Sequence, residues 1–244
     1  MARVPCPECP LRRHGPFKPY SEDEIAFINQ MKKRHVLVHA GREIISAGDA
    51  EPAIYTLFAG WAFRAKALPD GRRQILNFLL PGDLIGFQAN MFEASPHSVE
   101  ALTDVELCQL DRGKVWDLYR NFPEVAFDVT WLTAHEEMLV DENLLGVGQR
   151  TAQEKIAALI MQLCKRADSV GLTNSGGTLE FPLTQQHIAD ALGLSLVHTN
   201  KSMRKLEKMG LYEIRGRSLK MTNGHALKNL AHYFDEPISK RPLL

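Results

Sequence analysis

The sequence predicts an α+β protein with a β-rich N-terminal domain, a long central helix and a small helical C-terminal domain. Between about residues 36 and 112, short runs of β-branched and aromatic residues are separated by glycine-containing turns, which is typical of a β-barrel or sandwich. From about Asp111 to Leu145 the apolar residues recur at helical intervals. Beyond residue 183, two short amphipathic segments flank a glycine, as in a helix-turn-helix.

The composition is that of a soluble globular protein, with 45% hydrophobic residues, 24% charged residues and a formal net charge of zero. No apolar run is long enough to cross a bilayer, and the start of the chain lacks the apolar core of a signal peptide. We therefore expect a cytoplasmic protein without a membrane partner. Four cysteines are too few for a disulfide scaffold, so we expect free thiols.

The β-rich domain follows an irregular, proline-rich arm that covers residues 1–20. Ser21 with Glu24 three residues later is a capping box, so we expect a short helix over the run SEDEIAFINQMKK. The runs IYTLF, WAFRAKAL and RQILNFLL read as strands. Asp70-Gly71 lies between the last two and predicts a hairpin, because glycine accepts the positive φ of a tight turn.

The long helical segment carries apolar positions at steps of three, four and seven: Val125, Val129, Leu132, Leu139 and Gly146. This stripe is either a coiled-coil seam between two subunits or the face of an ordinary helix packed on its own domain. Residues 121–143 contain six carboxylates and no Lys or Arg, which excludes a DNA-binding surface there. A second helix is predicted from about Thr151 to Val170, so the domain boundary falls near residues 146–151.

The run LTQQHIADALGLSLVHTNKSMRKLEKMG, at residues 183–210, has the pattern of a helix-turn-helix. Thr184 is the predicted N-cap of the first helix, Gly193 lies in the turn, and Ser195 caps the second helix. The residues spaced to pack the two helices together are Ile188, Ala189, Leu192, Leu194, Met203 and Leu206. The second helix of this motif enters the major groove of DNA, although any helical hairpin shows similar spacing.

Local charge favours DNA over a simple hairpin. Residues 195–220 carry seven Lys or Arg residues and two Glu residues, in a chain that is neutral overall. Neutralisation of phosphates with release of counterions requires such a concentration of positive charge. The run LYEIRGRSLKM reads as two strands around Arg215-Gly216-Arg217, a basic tip suited to the sugar-phosphate backbone. The sequence therefore predicts a winged helix-turn-helix that binds double-stranded DNA.

The candidate DNA-binding residues lie at the two helix starts, along the second helix and at the hairpin tip. They are Thr184, Gln185, Ser195, Leu196, Val197, His198, Asn200, Lys201, Arg204, Lys205, Arg215 and Arg217. The front of the second helix would read base edges, since Asn bonds adenine, Lys donates to guanine, and Val or Leu packs on a thymine methyl group. The later basic residues would hold phosphates, which set position and affinity.

The order of these elements resembles the cyclic AMP receptor protein and fumarate–nitrate reductase regulator (Crp/Fnr) family of bacterial transcription factors. The resemblance covers about residues 20–225 and is carried by the runs DGRRQILNFLLPGDLIGFQAN and SVEALTDVELCQLD and by the helix-turn-helix. It implies that the N-terminal domain is a double-stranded β-helix, a jelly roll of the cyclic-nucleotide-binding type. It also implies a homodimer on a near-palindromic promoter site, with RNA polymerase as a partner. The implied parts are an arm (1–20), a β-roll sensor domain (21–112), a dimerisation helix (113–146), a winged helix-turn-helix domain (150–225) and a tail (226–244).

The effector pocket departs from that of the cyclic-nucleotide binders in this family. Where those proteins place a ribose-binding Glu and a phosphate-binding Arg-Ser pair, this chain has Phe87, His97 and Ser98. A phosphodiester would lose its bidentate charge partner, so we do not expect cyclic AMP to bind. The run Gly86-Phe87-Gln88-Ala89 resembles the oxygen-sensing, Fnr-like branch. The candidate pocket residues are Phe87, Gln88, His97 and Ser98.

The recognition helix also departs from the pattern of the family. Val197 and Lys201 stand where family members commonly present a Glu and an Arg. The carboxylate that accepts a hydrogen bond from cytosine is absent, so the familiar half-site cannot be transferred to this chain.

The oxygen-sensing branch holds a [4Fe–4S] cluster with three cysteines in its arm and one in its β-domain. Cys6 and Cys9 match two arm positions and Cys108 matches the distant one, whereas Gly15 stands at the remaining position, beside His14. Three thiolates with His14 or an exogenous ligand would hold an iron–sulfur cluster or a metal. Alternatively, Cys108 is a small core residue, and the pair is a relic or oxidises under stress.

The rival function is a redox enzyme or metal-handling protein, and the cysteine pair is its only support. The chain contains no Gly-rich phosphate loop, no G-x-S-x-G elbow and no H-E-x-x-H helix. We therefore expect a regulator and not an enzyme. Its signal is a cluster, another small ligand, or none.

Overall fold

The computed structural model describes residues 4–88, 94–233 and 240–244, which divide into two compact units. The N-terminal unit comprises the described residues up to 66, those between 78 and 138, and residues 240–244. The C-terminal unit comprises residues 67–77 and the described residues from 139 to 233. Throughout these described ranges, no helix is long and apolar enough to span a membrane.

The β-rich part of the chain forms two four-stranded sheets. The first has the order β1 (Lys32–Val38), β8 (Val105–Leu110), β3 (Ile54–Ala59) and β6 (Leu84–Ile85); the second has the order β2 (Glu43–Ile45), β7 (Ser98–Ala101), β4 (Ala62–Ala67) and β5 (Arg73–Leu79). Side chains from both sheets meet in one buried core, which includes Leu57 and Leu107 from the first sheet and Ala62 and Val99 from the second. The predicted jelly roll is confirmed.

Local signals in the sequence place the first helix and the predicted hairpin. Helix α1 (Glu22–Met31) begins at the capping box, where Ser21 Oγ accepts the Glu24 N–H at 3.3 Å and the Glu24 carboxylate accepts the Ser21 N–H at 2.7 Å. The helix ends two residues earlier than predicted, because Lys32 already belongs to β1. Gly71 adopts a φ of 87° in the turn between β4 and β5, a conformation that favours glycine.

The prediction of one helix from Asp111 to Leu145 is wrong. Arg112–Lys114 form a 3₁₀ turn, helix α2 covers Val115–Asn121, and helix α3 covers Pro123–Gln149. The break falls at Phe122, whose φ is −133° and ψ is 69°. A proline ring disfavours helical backbone in the residue before it, so Pro123 can start a helix but cannot continue one.

The apolar stripe predicted on the long helix is buried within this chain. Val125 and Val129 are no more than 1% exposed and pack with Ile28 and Met31 of α1. Leu132, Leu139 and Gly146 are buried as well. Of the two interpretations of this stripe, packing on its own chain is the one that the structure supports. The apolar residues that α3 exposes lie on a different face.

The C-terminal unit is helical with one small sheet. Its elements are α4 (Ala152–Ser169), β9 (Thr178–Glu180), α5 (Gln185–Leu192), α6 (Leu196–Lys208), β10 (Tyr212–Arg215), β11 (Ser218–Met221) and α7 (Gly224–Ala231). Helix α4 packs against α5, α6 and α7, and the strands pair in the order β10-β11-β9. Strand β9 and helix α7 are additional to the predicted elements.

The division into units differs from the predicted domain boundaries. It falls within α3, between residues 138 and 139, and not near residues 146–151. Residues 67–77 belong to the C-terminal unit, where Arg73 Nε lies 2.8 Å from Asp190 Oδ2. The predicted tail is also divided, since α7 lies in the C-terminal unit and residues 240–244 lie in the N-terminal unit. There Arg241 Nη2 is 2.7 Å from the buried Asp83 carboxylate, a contact that no local sequence pattern indicates.

Candidate nucleic-acid interface

Hydrogen bonds at the start of each helix set the geometry of the helix-turn-helix. Thr184 Oγ1 accepts the His187 N–H at 3.2 Å, while His187 Nδ1 accepts the Thr184 N–H at the same distance. Ser195 Oγ accepts the His198 N–H at 3.2 Å at the start of α6. Between the helices Gly193 has a φ of 62°, which favours a residue without a Cβ atom. The turn therefore forms where the sequence places it.

Helix α6 has one buried face and one exposed, basic face. Thr199, Met203 and Leu206 are buried against the unit. Val197 is 80% exposed and Leu196 is 46% exposed, which is unusual for large apolar side chains. The other exposed side chains of the helix are His198, Lys201, Arg204, Lys205, Glu207 and Lys208. The exposed face thus combines apolar groups at its N-terminal end with cations along its length.

Asn200 has a partner inside the protein. Its Nδ2 donates a hydrogen bond of 2.7 Å to Gln185 Oε1 at the start of α5. The bond connects the two helices of the motif, so Asn200 helps to fix their relative position. The predicted contact of its amide with adenine would require this bond to open, whereas Val197 and Lys201 are already exposed.

The predicted wing is present as the β10–β11 hairpin. Its tip is Arg215-Gly216-Arg217, with Gly216 at a φ of 61°. The side chain of Arg215 is 82% exposed and pairs with Glu213 at 2.6 Å, while Arg217 is exposed. Beneath the wing, the buried Tyr212 hydroxyl donates to the Met203 carbonyl at 3.0 Å, which anchors the hairpin to α6.

Two cavities lie in the N-terminal unit. The first has a volume of about 30 Å³ and is lined by Phe87, Gln88 and His97 of the predicted pocket. Ser98 is not among its lining residues, and its hydroxyl donates to the Ala65 carbonyl at 3.3 Å. The structure therefore does not bring Ser98 into this cavity with the other three predicted residues.

A buried guanidinium stands in this cavity, and it belongs to Arg64, which is not among the predicted pocket residues. Arg64 of β4 lies with its Nη2 2.6 Å from Glu136 Oε2 of α3 and its Nη1 3.4 Å from Gln88 Oε1. The side chains of Arg64 and Glu136 are only 9% and 15% exposed. Burial, with Arg64 and Lys66 nearby, lowers the pKa of His97 from 6.5 to about 4, so this imidazole is neutral at pH 7. The pair joins strand β4 to helix α3.

The second cavity brings three cysteines together. Cys6, Cys9 and Cys108 line a space of about 20 Å³, which Leu243 and Leu244 also line. His14, the proposed fourth ligand, is not among the lining residues. Because each water occupies at least 10 to 15 Å³ of such a volume, about one water molecule fits and an iron–sulfur cubane does not.

The Cys108 thiol is protonated at pH 7, because burial raises its pKa to about 11. Cys108 Sγ lies 3.6 Å from His35 Nε2. Within the described residues, no group of three His, Cys, Asp or Glu side chains is arranged to hold a metal ion. The residues present do not fit the cluster that the resemblance implied.

Known proteins show the same two-part organisation. Residues 35–122 match the cyclic nucleotide-binding domain family, and residues 154–230 match the Crp-like helix-turn-helix domain family. The transcriptional activator protein FnrL of Cereibacter sphaeroides is 29% identical over 214 residues, which are 87% of this chain and 85% of the relative. The nitrogen fixation regulation protein FixK of Rhizobium meliloti is 32% identical over 195 residues, which are 79% of this chain and 84% of the relative.

A solved structure agrees with this assignment. FixK2 from Bradyrhizobium japonicum superposes with a TM-score of 0.73 at 26% identity, covering 81% of this chain and 96% of that one. One explanation accounts for the matched domains, for the extent of the similarity to named regulators and for the helix-turn-helix described above. The chain belongs to the Fnr-like branch of the Crp/Fnr family and is a DNA-binding transcription regulator.

Proposed function

We propose that this regulator binds a near-palindromic promoter site as a homodimer, with α6 of each subunit in the major groove. The observation that carries the proposal is the two-faced character of α6. Its apolar residues are buried in the unit, whereas its basic residues and two large apolar residues are exposed at the surface. An exposed helix face of this composition matches a groove that offers base edges flanked by phosphates.

The exposed residues divide by position into base readers and phosphate holders. Val197 and Leu196 suit a thymine methyl group, and Lys201 suits the guanine O6 and N7 acceptors. Arg204 and Lys205 lie further along the helix and suit phosphates, as do Arg215 and Arg217 at the wing tip. Thr184 and Gln185 begin α5, and the positive end of the helix dipole at a helix start favours an anion such as phosphate.

The homodimer is supported by a second stripe on α3, which we call the exposed seam. It comprises Phe127, Trp131, Ala134 and Met138, at steps of four and three residues. Phe127 and Met138 are 66% and 46% exposed. Alternating steps of four and three are the spacing of a coiled-coil interface, and a monomer rarely exposes so much apolar surface in one line. A second copy of α3 would cover it.

For the signal, we propose that neither cyclic AMP nor an iron–sulfur cluster is needed for DNA binding. Phe87 offers no acceptor for a ribose, and the Arg64 guanidinium is already paired. The three cysteines line a small cavity, where we propose that they pack as core residues. Anaerobically purified protein should be colourless and metal-free and should bind DNA fully; a brown species that bleaches in air and is absent from Cys6→Ala would contradict this.

We also propose that the protein activates transcription through RNA polymerase and has no catalytic activity of its own. Its relative FnrL bears the name of a transcriptional activator. In vitro transcription from a bound promoter should increase with the protein present. A decrease would make it a repressor.

Fluorescence anisotropy on labelled promoter DNA tests the proposed function. Wild-type protein should bind a specific duplex with an affinity that falls steeply as the salt concentration rises. The double variant Lys201→Ala, Arg204→Ala should no longer bind that duplex at the same salt concentration. Arg120→Ala removes an exposed cation of α2 and serves as the matched control. Equal binding by the double variant would place the DNA-binding surface elsewhere.

A further inference from the structure

The Arg64–Glu136 pair gives the effector cavity an unusual charge state. Arg64 comes from the β-roll and Glu136 from the long helix, and their closest atoms are 2.6 Å apart. Both side chains are largely withdrawn from water. A buried guanidinium needs an anion in contact, because an unpaired charge at low dielectric is very unfavourable. In this cavity the anion comes from the protein.

Two other titratable groups among the described lining residues are accounted for within the protein. Arg241 also lines the cavity, and it is paired with Asp83 at 2.7 Å. His97 is neutral at pH 7 because burial, with Arg64 and Lys66 nearby, lowers its pKa to about 4. The volume of about 30 Å³ is enough for about two water molecules. Among the described lining residues, Arg64 and Arg241 each have a carboxylate partner within the protein.

From this geometry we infer that Glu136 is the built-in ligand of the effector cavity: its carboxylate occupies an anion site on Arg64 and holds the β-roll against α3 without a diffusible effector. The inference rests on the proposed function, and it gives a structural reason why the regulator would bind DNA without a signal molecule. The site is thus a carboxylate site. It becomes available to a small external carboxylate only when the Glu136 side chain is removed.

The geometry has a direct chemical test, because acetate reproduces the methylene and carboxylate of Glu136 that truncation to Ala removes. Glu136→Ala should take this carboxylate away from Arg64 and open a space of matching shape. The variant should melt lower than wild type by about 5–10 °C, as expected for a broken buried ion pair in a chain of this size. Its DNA affinity should fall by roughly tenfold as the β-roll loses its hold on α3.

Added acetate should restore both quantities. In differential scanning fluorimetry, a millimolar series of acetate should raise the melting temperature of Glu136→Ala, and anisotropy should show a DNA affinity within about threefold of wild type. Acetamide has the same shape without the charge and should restore neither. Arg64→Met, Glu136→Ala lacks the guanidinium and should not respond. Glu137→Ala, at the exposed neighbouring position of α3, should behave as wild type with or without acetate.

Three results would overturn the inference. They are a Glu136→Ala protein that binds DNA as wild type does, one that acetate does not rescue, and a wild-type protein whose melting temperature already rises with acetate. The fluorimetry tests the cavity without DNA. If wild-type protein failed to bind any DNA while acetate still stabilised Glu136→Ala, the proposed function would fail and the carboxylate site would remain.

Discussion

At the scale of single residues, recognition depends on which side chains of α6 remain exposed. Val197 is the most exposed large apolar residue of the described chain at 80%, and Lys201 lies one helical turn further along the same face. Arg204 lies three residues beyond Lys201. In our proposal Val197 and Lys201 face the base edges of DNA, and Arg204 faces the sugar-phosphate backbone. Replacing them should therefore have different consequences.

Lys201→Ala should relax sequence preference, whereas Arg204→Ala should weaken binding to all sequences alike. Loss of a base contact costs about 1–3 kcal/mol against the preferred base, while loss of a phosphate contact lowers the salt slope of binding by about one per site. Anisotropy with matched and mismatched duplexes over a range of salt concentrations separates the two effects. The same loss of preference in both variants would refute the division of roles.

His97 should make the N-terminal unit sensitive to acid. Its folded pKa of about 4 lies below the ordinary value of 6.5, so the unfolded chain binds the proton more readily. Stability that is complete above pH 6.5 is therefore lost as the pH falls toward 4, by up to about 3 kcal/mol from this residue.

Urea unfolding at pH 7 and pH 4.5 measures this effect. His97→Gln should remove most of the difference between the two pH values, although it can lower stability at pH 7. The control is His225→Gln, because His225 is exposed on α7. An unchanged pH dependence in His97→Gln would show that other groups cause it.

At the scale of elements, helix α3 carries two apolar stripes with different roles. The stripe through Val125 and Val129 packs on α1, whereas the exposed seam through Phe127 and Met138 faces outward. Both have helical spacing, so periodicity alone could not assign either one. Only the packing of α1 decides which stripe is left for a second subunit.

Charges placed on the exposed seam should separate the subunits. The double variant Phe127→Glu, Met138→Glu puts like charges across the proposed interface and should raise the dimer Kd by about 100-fold or more. Asn121→Glu adds a charge at an exposed position of α2, outside α3 and its seam, and should remain dimeric. Sedimentation equilibrium gives the masses. A double variant that is still dimeric would place the interface elsewhere.

The N-cap of α4 should contribute measurably to the free energy of unfolding of the C-terminal unit. Thr151 Oγ1 accepts the Glu154 N–H, and the Glu154 carboxylate accepts the Thr151 N–H at 2.8 Å. Thr151→Ala should lower the free energy of unfolding by about 1 kcal/mol, as measured by urea titration, while Thr151→Ser should retain it. Equal losses in both variants would show that the cap hydroxyl contributes nothing.

Local elements were predictable from the sequence where their causes are local. Thr184, Gly193 and Ser195 act within a few residues of themselves, so the helix-turn-helix follows from its own sequence. The Arg64–Glu136 pair joins residues 72 positions apart, and nothing in the run WAFRAKAL indicates a buried guanidinium. Pro123 did carry a local signal, and the prediction of one unbroken helix overlooked it.

At the scale of the whole molecule, the proposed regulator has a sensor domain that carries its own ligand and subunits that each present one reading helix. The neutral overall charge hides a local excess of positive charge at α6 and the wing. The six carboxylates at residues 121–143 of α3 keep that helix off DNA. The distribution of charge, and not its total, therefore determines which surface meets the duplex.

Selection of duplexes from a random library by the wild-type protein tests the central claim most directly, because it assumes no target. The account predicts enrichment of a two-fold-symmetric site whose half-sites are about one helical turn, roughly 10 base pairs, apart. The Lys201→Ala protein should still select a two-fold-symmetric site, but its base preference inside each half-site should change. Recovery of no common sequence, or of an asymmetric single site, would contradict the claim that two copies of α6 read DNA together.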